Sequence, residues 1–568
     1  MPGRTARFAI LEQFLADGIT HMFGNPGTVE QGFLDALHDY PDLKYIVTLQ
    51  ESIAVLVADG YARSTQKPAL VQIHSSPGVG NAIGNLYQAK RGNAPLVVIA
   101  GESGIRYDAM DAQMAADLVA FARPVTKWAT RVIDPASVLR VIRRAIKIAS
   151  TPPMGPVFIC LPADVLDAFS DEEVVPSSRL VTRVLPEADK ISEAAEMLAA
   201  AERPMIIMGD GIAVSGAQAE LTQLAELTGA DVWGANSSEV NISTLHPLYR
   251  GTLGHMFGEH SQAITSKADV VLIVGTYVFP EVFPALNSVF AYGSQVIHIE
   301  LDAWEIAKNF PVDLGIVADP KATLGQIATR LGEIQTDAQR SAVTARATAA
   351  GAATSREREA GLAGDRATWD SVPLRPARFM SELAAKLPSD VIIFDEGLTT
   401  SGEITRYMPP TQPGTFFQTR GGSLGTGIPG AIGLKIANPD KTVIGFTGDG
   451  GSMYTIQALW TAAHHNIGAK FIICNNRSYK LLKVNVQQYW RDLRLPERDF
   501  PTPFDLTNPN IEFSVLAQSL GVPALKVETP DQIGPAIEAM LGTDGPFLID
   551  LVLSNDVPGH FVYHKGGQ

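Results

Sequence analysis

Lys441–Asn476 reads KTVIGFTGDGGSMYTIQALWTAAHHNIGAKFIICNN. The apolar run KTVIGFT enters Gly448-Asp449-Gly450-Gly451. A helix-length stretch follows, and a second apolar run ends at Asn475-Asn476. Strand, helix and strand in that order make a parallel crossover, the unit of doubly wound α/β sheets. Ligands of such sheets bind where strands end at their carboxyl edge. Glycines there let backbone N–H groups approach a phosphate closely, and the helix expected to follow points its positive end at it. Asp449 is a hard oxygen ligand. Asn476 stands 27 residues further on, a separation that one helix plus one strand spans. Both side chains can therefore reach one ion. Carboxylate and amide oxygens, together with diphosphate oxygens, suit Mg²⁺. A lone GDG is a common turn; the meaning comes from the whole arrangement.

The same alternation extends along most of the chain. Residues 1–184 carry apolar runs at THMFG, LKYIVTLQ, PALVQIH, PLVVIAG and GPVFICLP, with helical patterns such as ESIAVLVADGYARSTQ between them. Residues 185–335 carry PMIIMGDG, DVVLIVGTYV and SQVIHIELD. Residues 336–375 are rich in Ala and Arg with few large apolar side chains, and read as an exposed helix or linker. Residues 376–568 carry DVIIFDEG, KTVIGFTGDG, AKFIICNN and PFLIDLVLS. The expected architecture is α/β: three doubly wound parallel-sheet domains, the first and third alike in outline and the middle one smaller. No short repeat is visible, which excludes a solenoid.

Bulk properties agree. A chain of 568 residues has room for about three domains, and 46% hydrophobic against 18% charged residues lets each bury a full core. A net charge of −15 argues against nucleic acid as a partner. The two cysteines, Cys160 and Cys474, lie in apolar runs and supply neither a disulfide framework nor a metal site. Glu12 and Asp17 interrupt the N-terminal apolar stretch, which reads as a helix and not a signal peptide. No uncharged apolar run of membrane-spanning length occurs, so the expectation is a cytoplasmic protein.

The segment from Gly448 to Tyr479 resembles the metal–diphosphate motif of thiamine-diphosphate enzymes. The resemblance implies that Asp449, the Asn476 side chain and the Ser478 backbone carbonyl hold Mg²⁺, with Gly448, Gly450, Gly451 and Ser452 beside the diphosphate. Thiamine chemistry also needs a carboxylate on the aminopyrimidine ring, so that the cofactor's own imino group can take a proton. Glu51 follows the run YIVTLQ and precedes the helix containing Ala58-Asp59-Gly60-Tyr61-Ala62, as in that family. GGSLGTGIPGAIG resembles the stretch whose bulky residue wedges the cofactor into a bent shape, which maps to Leu424. DEGLTT, with Leu398 and Thr399, resembles a diphosphate-side loop. Because Glu51 and Asp449 lie in different domains, the resemblance implies a cofactor bridging subunits of a homodimer or homotetramer.

Within that family the chain resembles the benzoylformate decarboxylases. FGNPGTVEQGF is similar to their substrate loop and places Thr28 where they have serine. QIHSSPGVGNAIG places His74 at a catalytic histidine; imidazole exchanges protons near neutral pH. A second histidine of that family is absent, and Val282 stands in its place. Gln113 instead matches a substrate-contacting glutamine of benzaldehyde lyases and acetolactate synthases. The sequence therefore supports two reactions on a small-molecule substrate: non-oxidative decarboxylation of a 2-oxo acid of the benzoylformate type, or C–C cleavage and carboligation of 2-hydroxy ketones or 2-hydroxyacyl-CoA. GDGIAVSG in the middle block departs from the dinucleotide pattern at its third glycine, and reads as part of a spacer. The tail, with His560, Tyr563 and His564, suits either a disordered end or a lid that excludes water.

Overall fold

The structure is a computed structural model that describes residues 4–254, 256–279 and 281–557. It contains three six-stranded sheets, and every strand in them pairs in parallel. The first runs, edge to edge, Lys44–Val47, His21–Gly24, Ala69–His74, Leu96–Glu102, Val157–Pro162 and Trp128–Arg131. The third runs Phe416–Gln418, Ile392–Glu396, Val443–Gly448, Lys470–Asn475, Phe547–Val552 and Ala524–Val527. These are the same order by position in the chain. Both sheets begin at an inner strand, step outward once, and then cross to the other side. That crossing is a topological switch point, where an open α/β sheet leaves a crevice at its carboxyl edge. In the first sheet it lies between His21–Gly24 and Ala69–His74, and in the third between Ile392–Glu396 and Val443–Gly448.

The middle sheet runs Tyr249–Thr252, Asp231–Gly234, Pro204–Met208, Val270–Val274, Gln295–Glu300 and Leu314–Val317. It equals the other two in strand number. Its GDGIAVSG turn is packed shut. A Cβ on Gly211 would stand 2.5 Å from the Gly275 Cα. Asp210 is fully buried and accepts from the Ser238 N–H (2.9 Å) and Asn241 Nδ2 (2.9 Å). Asp337–Arg366 forms a 30-residue helix with no buried residue. It is opened by a Thr336–Gln339 capping box and fastened to the middle domain by Arg346 on the Thr228 carbonyl (2.7 Å).

The core strands form because both their faces are covered. Val157–Pro162, Lys470–Asn475 and Phe547–Val552 are buried along their whole length, as parallel strands between two helical layers must be. Helix Glu51–Thr65 is nearly as enclosed, with eleven buried residues. It is capped by Gln50, whose side chain accepts from the Ser52 N–H (2.6 Å). Its outer side meets helix Gly427–Ala437 of the third domain with almost no side chain between them. A Cβ on Gly433 would stand 2.1 Å from the Val57 carbonyl oxygen, and one on Gly60 would stand 2.4 Å from that of Gly430. Asn438 Nδ2 donates to Ser64 Oγ (2.8 Å) along the same seam.

Where the three domains meet, charges are buried together. Arg63 donates to the Gln418 carbonyl (2.9 Å), Ser238 Oγ (3.0 Å) and Glu239 Oε1 (3.2 Å), and lies 3.8 Å from Asp59. Arg420 lies 3.2 Å from Asp210. Three carboxylates thus share two guanidinium groups. Burial pushes Glu239 up to about 7, against the pull of Arg63. A carboxyl raised in the folded state stabilises the fold below its ordinary value of 4.5, and that stability is lost as pH rises through about 7. Glu239→Gln mimics the protonated form. Its thermal midpoint should match the parent near pH 5 and exceed it by a few degrees at pH 8. A gap independent of pH would show that Glu239 is already ionised throughout.

Candidate active site

The third sheet gathers its candidates at the carboxyl edge. Asp449 is 4% exposed; its Oδ1 accepts from the Gly450 N–H (2.7 Å) and its Oδ2 from the Ser478 N–H (3.2 Å). The same Ser478 N–H reaches Asn476 Oδ1 (3.1 Å), and so does Ser478 Oγ (3.0 Å). Two side-chain oxygens from two strands therefore converge on one backbone N–H. Burial pushes the Asp449 carboxyl up to about 6, although several backbone N–H groups pull it down. An almost buried acid that makes no ion pair among the described residues, beside an amide oxygen, is a donor set that fits a hard divalent cation. Ser478 Oγ also donates to Asn555 Oδ1 (2.6 Å), which Lys483 Nζ holds from the other side (2.8 Å).

The glycine turn differs from the expectation in one respect. A continuous helix does not follow it. Asp449–Ser452 is a single helical turn, and the longer helix starts only at Ala458. Gly448 faces open space, whereas a Cβ on Gly450 would stand 2.4 Å from the Tyr479 ring. Close approach of backbone to a ligand is thus possible at Gly448, and ring packing requires glycine at Gly450.

Leu398, Thr399 and Leu424 lie near this edge. Leu398 is 40% exposed and holds a left-handed φ of 48°, a conformation that bulky residues keep only when the surroundings impose it. Here Asp395 imposes it, accepting from the Gly397 N–H (2.7 Å) and Ser401 Oγ (3.0 Å). Leu424 is half-buried, just before Gly425 at φ 83°.

The first sheet gathers the other candidates at its own switch point. Glu51 is 8% exposed and its Oε2 accepts from Asn81 Nδ2 (3.0 Å). A Cβ on Gly78 would stand 2.9 Å from Glu51 Oε1, so this glycine makes room for the carboxylate. His74 ends its strand and caps the helix Ser75–Arg91 that carries Gly78 and Asn81. Its Nδ1 meets Glu30 Oε2 at 2.9 Å, while Glu30 Oε1 accepts from the Gly101 N–H (2.8 Å). Burial raises the Glu30 carboxyl and His74 pulls it back, with burial the stronger. A Cβ on Gly27 would stand 2.0 Å from the His74 ring, so the loop bearing Thr28 lies directly against the imidazole. Thr28 and Gln113 are themselves exposed. The Gln113 loop is drawn to the same place by the Met114 carbonyl, which accepts from Ser76 Oγ (2.8 Å) and Ser75 Oγ (3.3 Å). Ser75 and Met114 both hold left-handed φ, 46° and 68°.

Glu30 is the residue that sequence reading missed. It sits inside the loop quoted for Thr28, but a lone Glu before a helix reads as a cap, and its partner lies 44 residues away. Glu396, buried beside the Leu398 loop, was missed in the same way. Val282, at the place of the absent histidine, is 55% exposed.

The two clusters are not joined within one chain. Among the described residues, the hydrogen bonds of Glu51 stay in the first domain and those of Asp449 in the third. The two domains are linked elsewhere, by Ser423 Oγ donating to the Gly84 carbonyl (3.1 Å) and by the Val47 N–H donating to His465 Nε2 (2.9 Å). His560, Tyr563 and His564 lie outside the described residues.

Comparison with known proteins agrees with this fold. Residues 4–121 match the N-terminal TPP binding domain of thiamine pyrophosphate enzymes, residues 191–327 their central domain, and residues 399–551 their C-terminal TPP binding domain. Benzoylformate decarboxylase of Pseudomonas aeruginosa is 30% identical over 96% of this chain and 98% of its own length. A probable acetolactate synthase large subunit of Methanococcus aeolicus is 29% identical over 96% and 91%. Among solved structures, the thiamine diphosphate-dependent 4-hydroxybenzoylformate decarboxylase of Rhodococcus jostii RHA1 superposes with a TM-score of 0.84 at 28% identity, covering 97% of this chain and 100% of the other. No helix among the described residues is long and apolar enough to cross a membrane.

Proposed function

Because this chain belongs to the thiamine pyrophosphate enzymes, we propose that it uses thiamine diphosphate and Mg²⁺ for non-oxidative decarboxylation of a 2-oxo acid of the benzoylformate type. The cofactor, when bound, supplies a nucleophilic carbon and an electron sink. Asp449, Asn476 and the Ser478 carbonyl would hold the metal, with Gly448, Gly450, Gly451, Ser452, Leu398 and Thr399 along the diphosphate and Leu424 under the thiazolium. Glu51 would hold a proton at the aminopyrimidine ring. The site would be completed between copies of the chain, in a dimer or tetramer.

The observation that carries the decarboxylase reading is the His74–Glu30 pair. Glu30 engages Nδ1 and fixes the ring, leaving Nε2 to deliver a proton to the carbon that has lost CO₂. Thr28 lies in the loop against that ring and is suited to the substrate carboxylate or carbonyl.

A second reading, cleavage or ligation of 2-hydroxy ketones or 2-hydroxyacyl-CoA, is favoured by Gln113, whose loop is tied to the start of the His74 helix. Such a substrate carries no carboxylate, and its hydroxyl must be oriented for loss of a proton. The two readings part on two variants. With a 2-oxo acid, His74→Ala should lower kcat for aldehyde release by about 10²–10⁴-fold, the usual worth of a positioned acid, and Gln113→Ala by much less. On the second reading the order reverses with a 2-hydroxy ketone or 2-hydroxyacyl-CoA. Less than about tenfold for either variant on both substrate classes would remove both assignments.

A further inference from the structure

Glu396 ends strand Ile392–Glu396 and is 1% exposed. Its carboxylate gathers three donors from two other segments. Gly425 N–H donates to Oε1 (2.6 Å), Gly427 N–H to Oε2 (2.7 Å), and Thr447 Oγ1 to Oε2 (3.0 Å). The first two donors flank the bend just after Leu424. The third precedes the Gly448–Gly451 turn by one residue. Glu396 itself stands two residues before Leu398. One side chain therefore touches, or is continuous with, all three segments assigned above to the cofactor.

The carbonyls beside Leu424 are held separately, that of Gly425 by Thr455 Oγ1 (2.6 Å) and that of Ser423 by Thr419 Oγ1 (3.1 Å), which leaves the N–H groups to Glu396. Gly425 is left-handed at φ 83°, where a side chain would be strained, and its Cβ would stand 2.7 Å from that of Tyr454. A Cβ on Gly427 would stand 2.5 Å from the Phe446 carbonyl oxygen. These glycines allow the bend, but absence of a side chain holds nothing in place. The buried N–H groups on either side need an acceptor, and neither donates within regular structure. The carboxylate of Glu396 supplies one oxygen to each. An amide in its place has one acceptor oxygen and one NH₂ group, which would face an N–H donor.

We infer that Glu396 is a positioning residue that sets the Leu424 bend against the glycine turn, and thereby fixes the shape of the cofactor's ring pocket. This rests on the assignment of Leu424 and the Gly448–Gly451 turn to thiamine diphosphate. Two of its three donors lie at the Leu424 bend, so the ring pocket should depend on Glu396 far more than the metal contacts of Asp449 and Asn476 or the diphosphate contacts of the glycine turn.

The test compares two ligands by calorimetry in excess Mg²⁺: thiamine diphosphate and inorganic diphosphate. Glu396→Gln should weaken thiamine diphosphate at least tenfold and inorganic diphosphate less than threefold. Thr447→Val removes one of the three donors without adding a clash. It should show the same ordering with a smaller loss, and it decides the matter if Glu396→Gln does not fold. Equal weakening of both ligands would mean a merely structural residue and overturn the inference, as would unchanged binding of both. If the parent chain fails to bind thiamine diphosphate, the proposed function falls and this inference with it. A parent that binds both, with variants showing no ligand difference, overturns only the role of Glu396.

Discussion

Glu51→Gln should leave the fold intact and lower turnover by about 10²–10⁴-fold, the range for a group that moves a proton in the reaction. The side chain is 8% exposed and hydrogen-bonded to Asn81 Nδ2. An amide oxygen can still accept that bond, and the amide has nearly the same volume. Helix Glu51–Thr65 keeps its Gln50 cap and its buried face. What the amide cannot do is hold a proton at the aminopyrimidine ring. Two measurements separate chemistry from structure. Steady-state kcat at saturating cofactor should fall while the thermal midpoint of the cofactor-free chain stays within a few degrees. Hydrogen–deuterium exchange at C2 of the bound cofactor should slow in parallel with kcat. An unchanged exchange rate would reduce Glu51 to a residue that merely begins a helix.

Asp449→Asn should act in opposite directions on binding and on stability. Cofactor affinity in Mg²⁺ should fall by at least about 100-fold, since loss of even an outer partner of a metal ligand costs 10–100-fold. Stability of the metal-free chain should not fall. Burial of Asp449, 4% exposed, is what raises its carboxyl, and a buried charge without a cation opposes folding. The asparagine oxygen keeps an acceptor for the Gly450 N–H, and the Ser478 N–H retains Asn476 Oδ1 (3.1 Å). Calorimetry with and without chelator reads the first effect, and thermal unfolding without metal reads the second. Equally tight cofactor binding by parent and variant, in Mg²⁺ and in chelator alike, would remove the metal from the site altogether.

The sequence displayed most of the fold for a local reason. Strands buried on both faces are unbroken apolar runs, and VFICLP, FIICN and FLIDLV can be read directly. Trp128–Arg131, Leu314–Val317, Phe416–Gln418 and Ala524–Val527 were not read as strands. All four are sheet edges of three or four residues, as is Tyr249–Thr252, also unread, and a strand open on one side needs no such run; the inner strand Asp231–Gly234 was unread too, its residues alternating half-buried and buried. Asp449 and Asn476 were legible together because a strand–helix–strand unit returns the chain to one edge; Ser478 came only from the family resemblance. Glu30 and Glu396 were not, because each gains its meaning from a donor 29 to 71 residues away. The Arg63 cluster was further still from view, its partner Gln418 lying 355 residues along the chain. Periodicity reports which face a residue is on; it carries no record of which distant edge will be brought against it.

The glycine seam between helices Glu51–Thr65 and Gly427–Ala437 has a consequence for biosynthesis. Its two sides are made far apart in time: Ser64 and Asn438, bonded across it, are 374 residues apart. At about 5–20 residues per second, a ribosome needs roughly 20–75 seconds to bridge that interval. Throughout it, the first domain can complete its sheet but must carry one helix with a bare, apolar, side-chain-poor flank turned to solvent. Nascent chains stalled before residue 427 should therefore be the species that chaperones hold and proteases trim, and fragments ending there should be recovered insoluble although every strand of their first two sheets is present.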